Sequence, residues 1–322
     1  MSIQHIRQLV NEELIAVNQF IRQQIMIEHP LVADMTKHLL EGGGKQLRPL
    51  IALLSCKAFD YSGDNHLSLA SLIEFFHTAT LLHDDVVDES TLRRGRKTAN
   101  QIWGSKASVL VGDYLFTLYF RLLLSVGDLA VVQFMTDIAN QIGYGEIKQL
   151  VNQYHYDISM AEYFEVIQAK TSLLFAASAK LAAMICQQPP EVCNHLYHYG
   201  LHLGNAFQLI DDALDYCSDS QTIGKNIGDD LADGKATLPI LHALRMGTNE
   251  QKNMIQHSLK HGLRENLPQI IEAIQTTHAI EFTQQTALKE AEAAKKYLQI
   301  LEPSVYKDAL LELADYSISR DH

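Results

Sequence analysis

The chain has 322 residues, 47% of them hydrophobic and 20% charged, a composition that excludes a disordered chain and suits a compact protein with a large core. A formal net charge of −12 argues against a general nucleic-acid binder or a partner for anionic membranes, because both need a basic face. Four cysteines, Cys56, Cys186, Cys193 and Cys217, form no C-x-x-C unit and read as the reduced thiols of a cytoplasmic protein.

The polar, amphipathic opening MSIQHIRQLVNEEL lacks a charged start followed by an apolar stretch, so no export signal is expected. No uninterrupted apolar run reaches the roughly 18 residues of a membrane span, and no stable membrane insertion is expected. The first break is Gly42-Gly43-Gly44, followed by the basic residues Lys45 and Arg48 on either side of Gln46 and Leu47. No proline falls between Pro49 and Pro189, as a mostly helical chain requires, since a proline inside a helix costs about 3 kcal/mol. Within that span apolar residues recur at intervals of three and four, as in Leu67, Ala70, Ile73, Phe76, Ala79 and Thr80, and strand-like alternation is scarce. Further breaks follow at Gly63, Arg94-Gly95, Gly127-Asp128, Pro189-Pro190 and Gly224 through Gly234. These signals predict an all-α protein, a bundle of roughly ten or more helices with short connections. Without an internal repeat or a flexible linker, residues 1–322 are expected to form one domain.

The runs Leu67 to Asp88 and Leu201 to Tyr216 are apolar round most of their circumference and belong at the centre of a bundle. The first ends in Asp84-Asp85-Val86-Val87-Asp88. On a helix Asp84 and Asp88 share a face with Asp85 beside them, and like charges so placed repel. Mg²⁺ neutralises such a group through one or two carboxylates, several waters and phosphate oxygens of a substrate. One such pattern alone is as readily a solvated helix end. Asp211-Asp212-Ala213-Leu214-Asp215 repeats the spacing, again after an apolar helical run, and two such clusters in core helices could face one cavity and hold several Mg²⁺ ions on one diphosphate.

Basic residues stand at the breaks beside both clusters. Arg93 and Arg94 follow the first, Lys225 and Lys235 follow the second with Asp229 and Asp230 between them, and Lys45 and Arg48 form a third set. Lys170-Thr171 interrupts the apolar stretch from Tyr163 to Phe175, and Gln208 stands three residues before Asp211. An unpartnered buried lysine is costly, so Lys170 either reaches solvent or meets an anion, and the anion is favoured.

These residues resemble the trans-polyprenyl diphosphate synthases over essentially the whole chain. The segments GGGKQLRP, EFFHTATLLHDDVVDESTLRRG, VLVGDYLF, AKTSLLF, GNAFQLIDDALDY, GKNIGDDLADGK and ATLPILHA carry the likeness in order. The resemblance implies the isoprenoid synthase helical bundle with a central ligand cavity, usually a homodimer. It implies that Asp84, Asp85, Asp88, Asp211, Asp212 and Asp215 hold Mg²⁺, about three ions per active site, on the diphosphate of an allylic prenyl substrate. By the same likeness Arg93, Lys170, Thr171, Gln208, Lys225 and Lys235 contact that substrate. Lys45, Arg48, His77 and Arg94 hold isopentenyl diphosphate. Asp84, Asp85, Asp88, Lys170, Asp211, Asp212 and Lys225 are then the expected catalytic set.

The chemistry implied is ionisation of the allylic C–O bond as the diphosphate leaves, attack by the alkene of isopentenyl diphosphate, and loss of a proton, with water excluded and no protein nucleophile. An octaprenyl product for a quinone side chain is expected, with a shorter prenyl chain as the alternative. Ala79 and Thr80 are small where short-chain members carry aromatic residues, so a growing chain could pass them. About 4.5 Å deeper, at 1.5 Å per residue, stands Phe76, bulkier than is usual in long-chain members, facing either tunnel or core. Gln46 and Ala236 are further departures from the usual arginine and proline.

Other readings fit less of the sequence. A terpene cyclase shares the ionisation chemistry but usually lacks the second D-D-x-x-D and the Lys45, Arg48 and Arg94 set. A phosphohydrolase built on His83-Asp84 needs more histidine ligands and leaves the second cluster unexplained. A regulatory subunit of a synthase would have lost acidic or basic positions that are filled here.

Overall fold

A computed structural model describes residues 3–26, 29–40, 42, 44–217 and 228–319. The chain is all-α, and among the described residues its extended structure is one two-residue hairpin. It packs into two compact units. The first comprises Met1–Asp137, Leu174–Gly200 and Tyr297–Leu313, and the second Ile138–Leu173, Leu201–Lys296 and Ala314–His322.

Unit 1 begins with α1 (Ile3–Gln8), α2 (Asn11–Met26) and α3 (Pro30–Leu40). Its core is α4 (Leu47–Ala58) and α5 (Asn65–Val87). Pro49 is tolerated because it falls in the first turn of α4, where no intrahelical hydrogen bond is lost. Every residue from Pro49 to Cys56 is buried, and α5 is buried on most sides from Leu69 to Leu82, the pattern of a helix surrounded by others. The helix after the hairpin, α6 (Ala99–Trp103), leads into α7 (Ser105–Ser125), which packs along α5. Among the described residues α7 is the one helix with the length and hydropathy of a membrane span. It carries Lys106, Asp113 and Arg121, and Val111, Leu115, Leu118, Tyr119, Leu122 and Leu123 are buried within the unit.

The hairpin pairs β1 (Leu92–Arg93) with β2 (Arg96–Lys97), Arg93 opposite Arg96. Arg94 and Gly95, the two residues between them, have φ of 52° and 73°. Both lie in the left-handed region, as the tightest hairpin turn demands. The predicted break at Arg94-Gly95 is therefore a tight reversal that carries Arg93 and Arg94.

The chain continues through α8 (Leu129–Asn152), α9 (Met160–Ile167), a π-turn (Gln168–Ser172), α10 (Leu173–Ile185) and α11 (Pro190–Cys217). Pro190 opens α11 at the first helical position. In unit 2, Ser159 and Glu162 close a reciprocal cap on α9. Beyond α11 come α12 (Asp229–Ala232), α13 (Leu238–Met246), α14 (Asn249–His261), α15 (Leu267–Thr276), α16 (Ala279–Tyr297) and α17 (Val305–Ile318). Leu231, Ile240, Ile255, Leu259, Ile270 and Ile274 form one buried cluster of unit 2. A second, of Tyr163, Ile167, Leu209, Ile210, Leu238 and Ala287, backs α9 against α11.

Candidate functional site

In unit 1, Asp84 and Asp85 lie in the last turn of α5, and Asp88 is its C-cap. The helix dipole is negative at this end, so the carboxylates add to an existing excess of negative potential. Asp85 is fully buried. Its Oδ1 accepts from Arg93 Nε at 3.0 Å and from Arg93 Nη2 at 2.8 Å, while its buried Oδ2 has no hydrogen-bond partner. A buried carboxylate oxygen left bare is expensive, and it is the ligand a hard cation takes. Asn100 Nδ2 donates to the backbone oxygens of Asp85 and Ser90, at 2.9 and 3.2 Å, and ties down the helix end. Among the described residues no three acidic, histidine or cysteine side chains form a ready-made metal cage. A Mg²⁺ ion that relies on substrate phosphate oxygens and water for most of its ligands does not need one.

The third basic set also gathers in unit 1. Arg48 Nη1 donates to His77 Nε2 at 3.1 Å, and the Arg48 guanidinium stacks 4.6 Å from the centre of the Phe175 ring. His77 is therefore held as the neutral ring with its proton on Nδ1. Burial, reinforced by Arg48, Arg93 and Arg94, pushes its pKa well below the ordinary value. A Cβ on Gly44 would lie 2.8 Å from Arg94 Nη1, so that glycine lets the guanidinium lie against the backbone. Lys45 offers its carbonyl to Arg7 Nη1 at 2.6 Å. A small cleft of about 20 Å³ lined by Arg93, Arg94, Arg96 and Lys97 opens at the hairpin. A separate cavity of unit 1, about 270 Å³, is lined by residues that include Leu53, Cys56, Lys57, Tyr61 and His66. It lies at the opposite end of α5 from Asp84 and includes none of the predicted site residues.

His83 turns away from its neighbour Asp84. Its Nε2 approaches Val109 O at 3.2 Å and Asp113 at 3.4 Å, and Gly112 makes room for the ring. A His-Asp phosphohydrolase pair is therefore not assembled. Ala79 is buried, and Thr80 Oγ1 donates to His77 O at 2.9 Å. Phe76, 3% exposed, meets Phe116 and Tyr119 edge-on at 5.4 and 5.2 Å. The buried Tyr119 hydroxyl has no partner.

In unit 2 the residues form a connected chain. Thr171 Oγ1 donates to Gln208 Oε1 at 2.8 Å, Gln208 Nε2 donates to Asp212 Oδ1 at 2.8 Å, and Tyr163 OH donates to Asp212 Oδ2 at 2.5 Å. Burial, with the repulsion of Asp230, pushes the Asp212 carboxyl up to about 7. Asp211 sits beside it on α11, and Asp215 accepts the backbone N–H of Gly228 on its carbonyl at 3.1 Å. Lys170 is part-exposed, and its Nζ lies 3.6 Å from Glu146 Oε2 of α8. Lys235 donates to Asp233 at 2.9 Å. Lys225 and Gly43 lie outside the described residues.

Sequence reasoning missed Glu74, Arg7, Tyr163 and Glu146. Glu74 alone left a trace, as the one charge in the apolar run ahead of Asp84 and one turn before His77. The others are brought in from distant segments.

Residues 29–300 match the family model described as polyprenyl synthetase. The chain is 43% identical to octaprenyl diphosphate synthase of Escherichia coli (strain K12) over 322 residues, the full length of both. It is 40% identical to the geranyl-diphosphate-specific all-trans-nonaprenyl-diphosphate synthase of Rhodobacter capsulatus, over 97% of this chain and 96% of that one. A polyprenyl synthase from Caulobacter crescentus CB15, solved with calcium and isoprenyl diphosphate, superposes with a TM-score of 0.95 at 36% identity, covering 100% of this chain and 98% of that one.

Proposed function

This chain belongs to the polyprenyl synthetase family and is a trans-prenyltransferase, and from that premise we propose that it condenses isopentenyl diphosphate with an allylic diphosphate such as farnesyl diphosphate to make octaprenyl diphosphate. The single observation that carries the chemistry is the bare, buried Oδ2 of Asp85 at the negative end of α5. It gives the first aspartate group a cation-binding character that burial without a ligand would not sustain. The eight-unit product follows the full-length likeness to octaprenyl diphosphate synthase.

Asp84, Asp85 and Asp88, with Asp211, Asp212 and Asp215, hold Mg²⁺ in this reading, about three ions. Bound Mg²⁺ supplies Lewis-acid neutralisation of the leaving diphosphate. The protein's own part is to bind, orient and keep dry. Arg93, Lys170, Thr171, Gln208, Lys225 and Lys235 grip the allylic diphosphate, and Arg93 exchanges its bond to Asp85 for one to phosphate. Lys45, Arg48, neutral His77 and Arg94 hold isopentenyl diphosphate, whose alkene attacks the allylic cation. The proton lost afterwards goes to released diphosphate. The apolar walls of α5, with Phe76, Ala79 and Thr80 below the aspartates, exclude water that would quench the cation. Residues 1–322 act as one catalytic domain in this reading.

Homodimerisation in the cytoplasm completes the proposal. Leu110, Phe120 and Leu124 of α7 are exposed at 67, 50 and 67%, and in unit 2 Tyr144, Ile147 and Val151 of α8 form an exposed apolar row at intervals of three and four. Such rows mark protein contacts.

The test incubates the purified protein with Mg²⁺, isopentenyl diphosphate and farnesyl diphosphate and sizes the dephosphorylated products. An octaprenyl alcohol is expected. A shorter all-trans alcohol would revise the length alone, while cyclic hydrocarbon or phosphate release without elongation would overturn the reading.

A further inference from the structure

Lys170 and Thr171 do not sit on an α-helix. The turn Gln168–Ser172 that carries them is wound as a π-helix between α9 and α10. Its hydrogen bonds skip one residue more than those of an α-helix, and such turns are rare and cluster at functional sites. Something must hold this one in place.

Two glycines clamp it. A Cβ on Gly145 of α8 would stand 2.0 Å from the Cβ of Ala169, and one on Gly204 of α11 would stand 2.5 Å from the Cα of Ser172. Neither position accepts a side chain without displacing backbone, so both helices press directly on the turn. Behind Gly204 runs a chain of hydrogen bonds, buried at Ser172 and Asn205 and half-buried at Glu290 and His202. Ser172 Oγ donates to Asn205 Oδ1 at 2.7 Å, and Asn205 Nδ2 donates to Glu290 Oε2 of α16 at 2.8 Å. His202 Nδ1 donates to the same Glu290 oxygen at 2.7 Å. Ser172 and Asn205 are 0 and 2% exposed.

The carboxylate gives this chain its direction. An ionised glutamate can only accept, so Asn205 must turn its NH₂ toward Glu290 and its carbonyl toward Ser172, which then donates. Reversal of the amide would leave two acceptors facing each other. His202, Asn205, Gln208 and Asp212 follow at intervals of three, three and four on α11 and therefore share one face. The same face thus holds both Ser172 and Thr171, residues on the same π-turn, through Asn205 and Gln208.

We propose that Glu290, acting through Asn205 and Ser172 with His202 alongside, is a positioning residue that holds the π-turn and so sets Lys170 and Thr171 against the allylic diphosphate. The inference rests on the reading of Lys170 and Thr171 as diphosphate ligands. Glu290 touches no substrate in this arrangement and acts only by fixing the turn.

The experiment compares Glu290→Ala, Glu290→Gln, Ser172→Ala and Lys170→Ala in the full-length protein with Mg²⁺, measuring KM for farnesyl diphosphate and for isopentenyl diphosphate separately, kcat and Tm. Glu290→Ala and Ser172→Ala each break the chain of hydrogen bonds, and each is expected to raise KM for farnesyl diphosphate about tenfold, the scale of one buried hydrogen bond left unmade. KM for isopentenyl diphosphate should stay near that of the wild type. Glu290→Gln keeps an oxygen acceptor for Asn205 and should recover most of the loss. Should Glu290→Ala fail to fold, Ser172→Ala, which removes one oxygen atom, carries the test. If Lys170→Ala raises KM for farnesyl diphosphate while Glu290→Ala and Ser172→Ala lower only Tm or move both KM values together, the network is structural and the inference falls. If Lys170→Ala itself leaves that KM unchanged, the diphosphate-ligand reading falls first, and the inference with it.

Discussion

Glu74→Gln removes an ionisable group from the interior of unit 1. Glu74 is 6% exposed on α5, hydrogen-bonded to Gln46 and within the field of Arg48, Arg94 and Arg7. Two effects oppose each other there. Burial disfavours the carboxylate, the three guanidinium groups favour it, and burial wins, so the carboxyl is pushed up from 4.5 to about 7. Between those two values the folded protein keeps a proton that the unfolded chain has released. The stabilisation linked to that proton is complete below pH 4.5 and is lost as pH rises to about 7. At about 1.4 kcal/mol per pH unit, the loss comes to about 3 kcal/mol, or roughly 5–10 °C in Tm for a chain of this size. Thermal unfolding of wild type and Glu74→Gln at pH 5 and pH 8 isolates the effect, because every other titrating group is common to both. Wild type is expected to lose about 3 kcal/mol more than the variant across that interval. Parallel pH profiles would refute the argument and show that the arginines, not burial, decide the protonation of Glu74.

Asp84→Ala or Asp211→Ala should lower turnover by about 10²-fold or more while the circular dichroism stays that of wild type; near-normal turnover in either would contradict the metal assignment. Chelation with EDTA should abolish elongation and added Mg²⁺ should restore it, and activity that persists in EDTA would remove the metal from the reaction. Phe76→Ala removes a ring packed edge-on against Phe116 and Tyr119. It should cost about 3–5 kcal/mol of stability and lengthen the products, read by thin-layer chromatography of the dephosphorylated alcohols; an unchanged distribution would assign the ring to the core. Gly204→Ala forces a Cβ to within 2.5 Å of Ser172 Cα and should destabilise by about 1–3 kcal/mol, so a wild-type Tm would contradict the close approach.

Much of the architecture was legible in the chain itself. Proline scarcity and the interval of three and four placed α5 and α11 in the interior, and the spacing of the aspartates put Asp84 with Asp88 and Asp211 with Asp215 on common faces. These features are local, set by backbone geometry over a few turns. Periodicity says which residues share a face, and nothing about what that face will meet. That Arg93 grips Asp85 was decided by the reversal at Arg94-Gly95, whose left-handed φ values fold the tip back onto the helix end. That His83 serves α7 was decided by the room Gly112 leaves for its ring. The intrusion of Lys170 and Thr171 into an apolar run was visible, yet its form as a π-turn depends on Gly145 and Gly204 pressing from two other helices. Glu74 and Asp212 show the same division: their letters are in the sequence, but their protonation depends on which charges packing brings near and how much water it removes, and only the tertiary structure determines either.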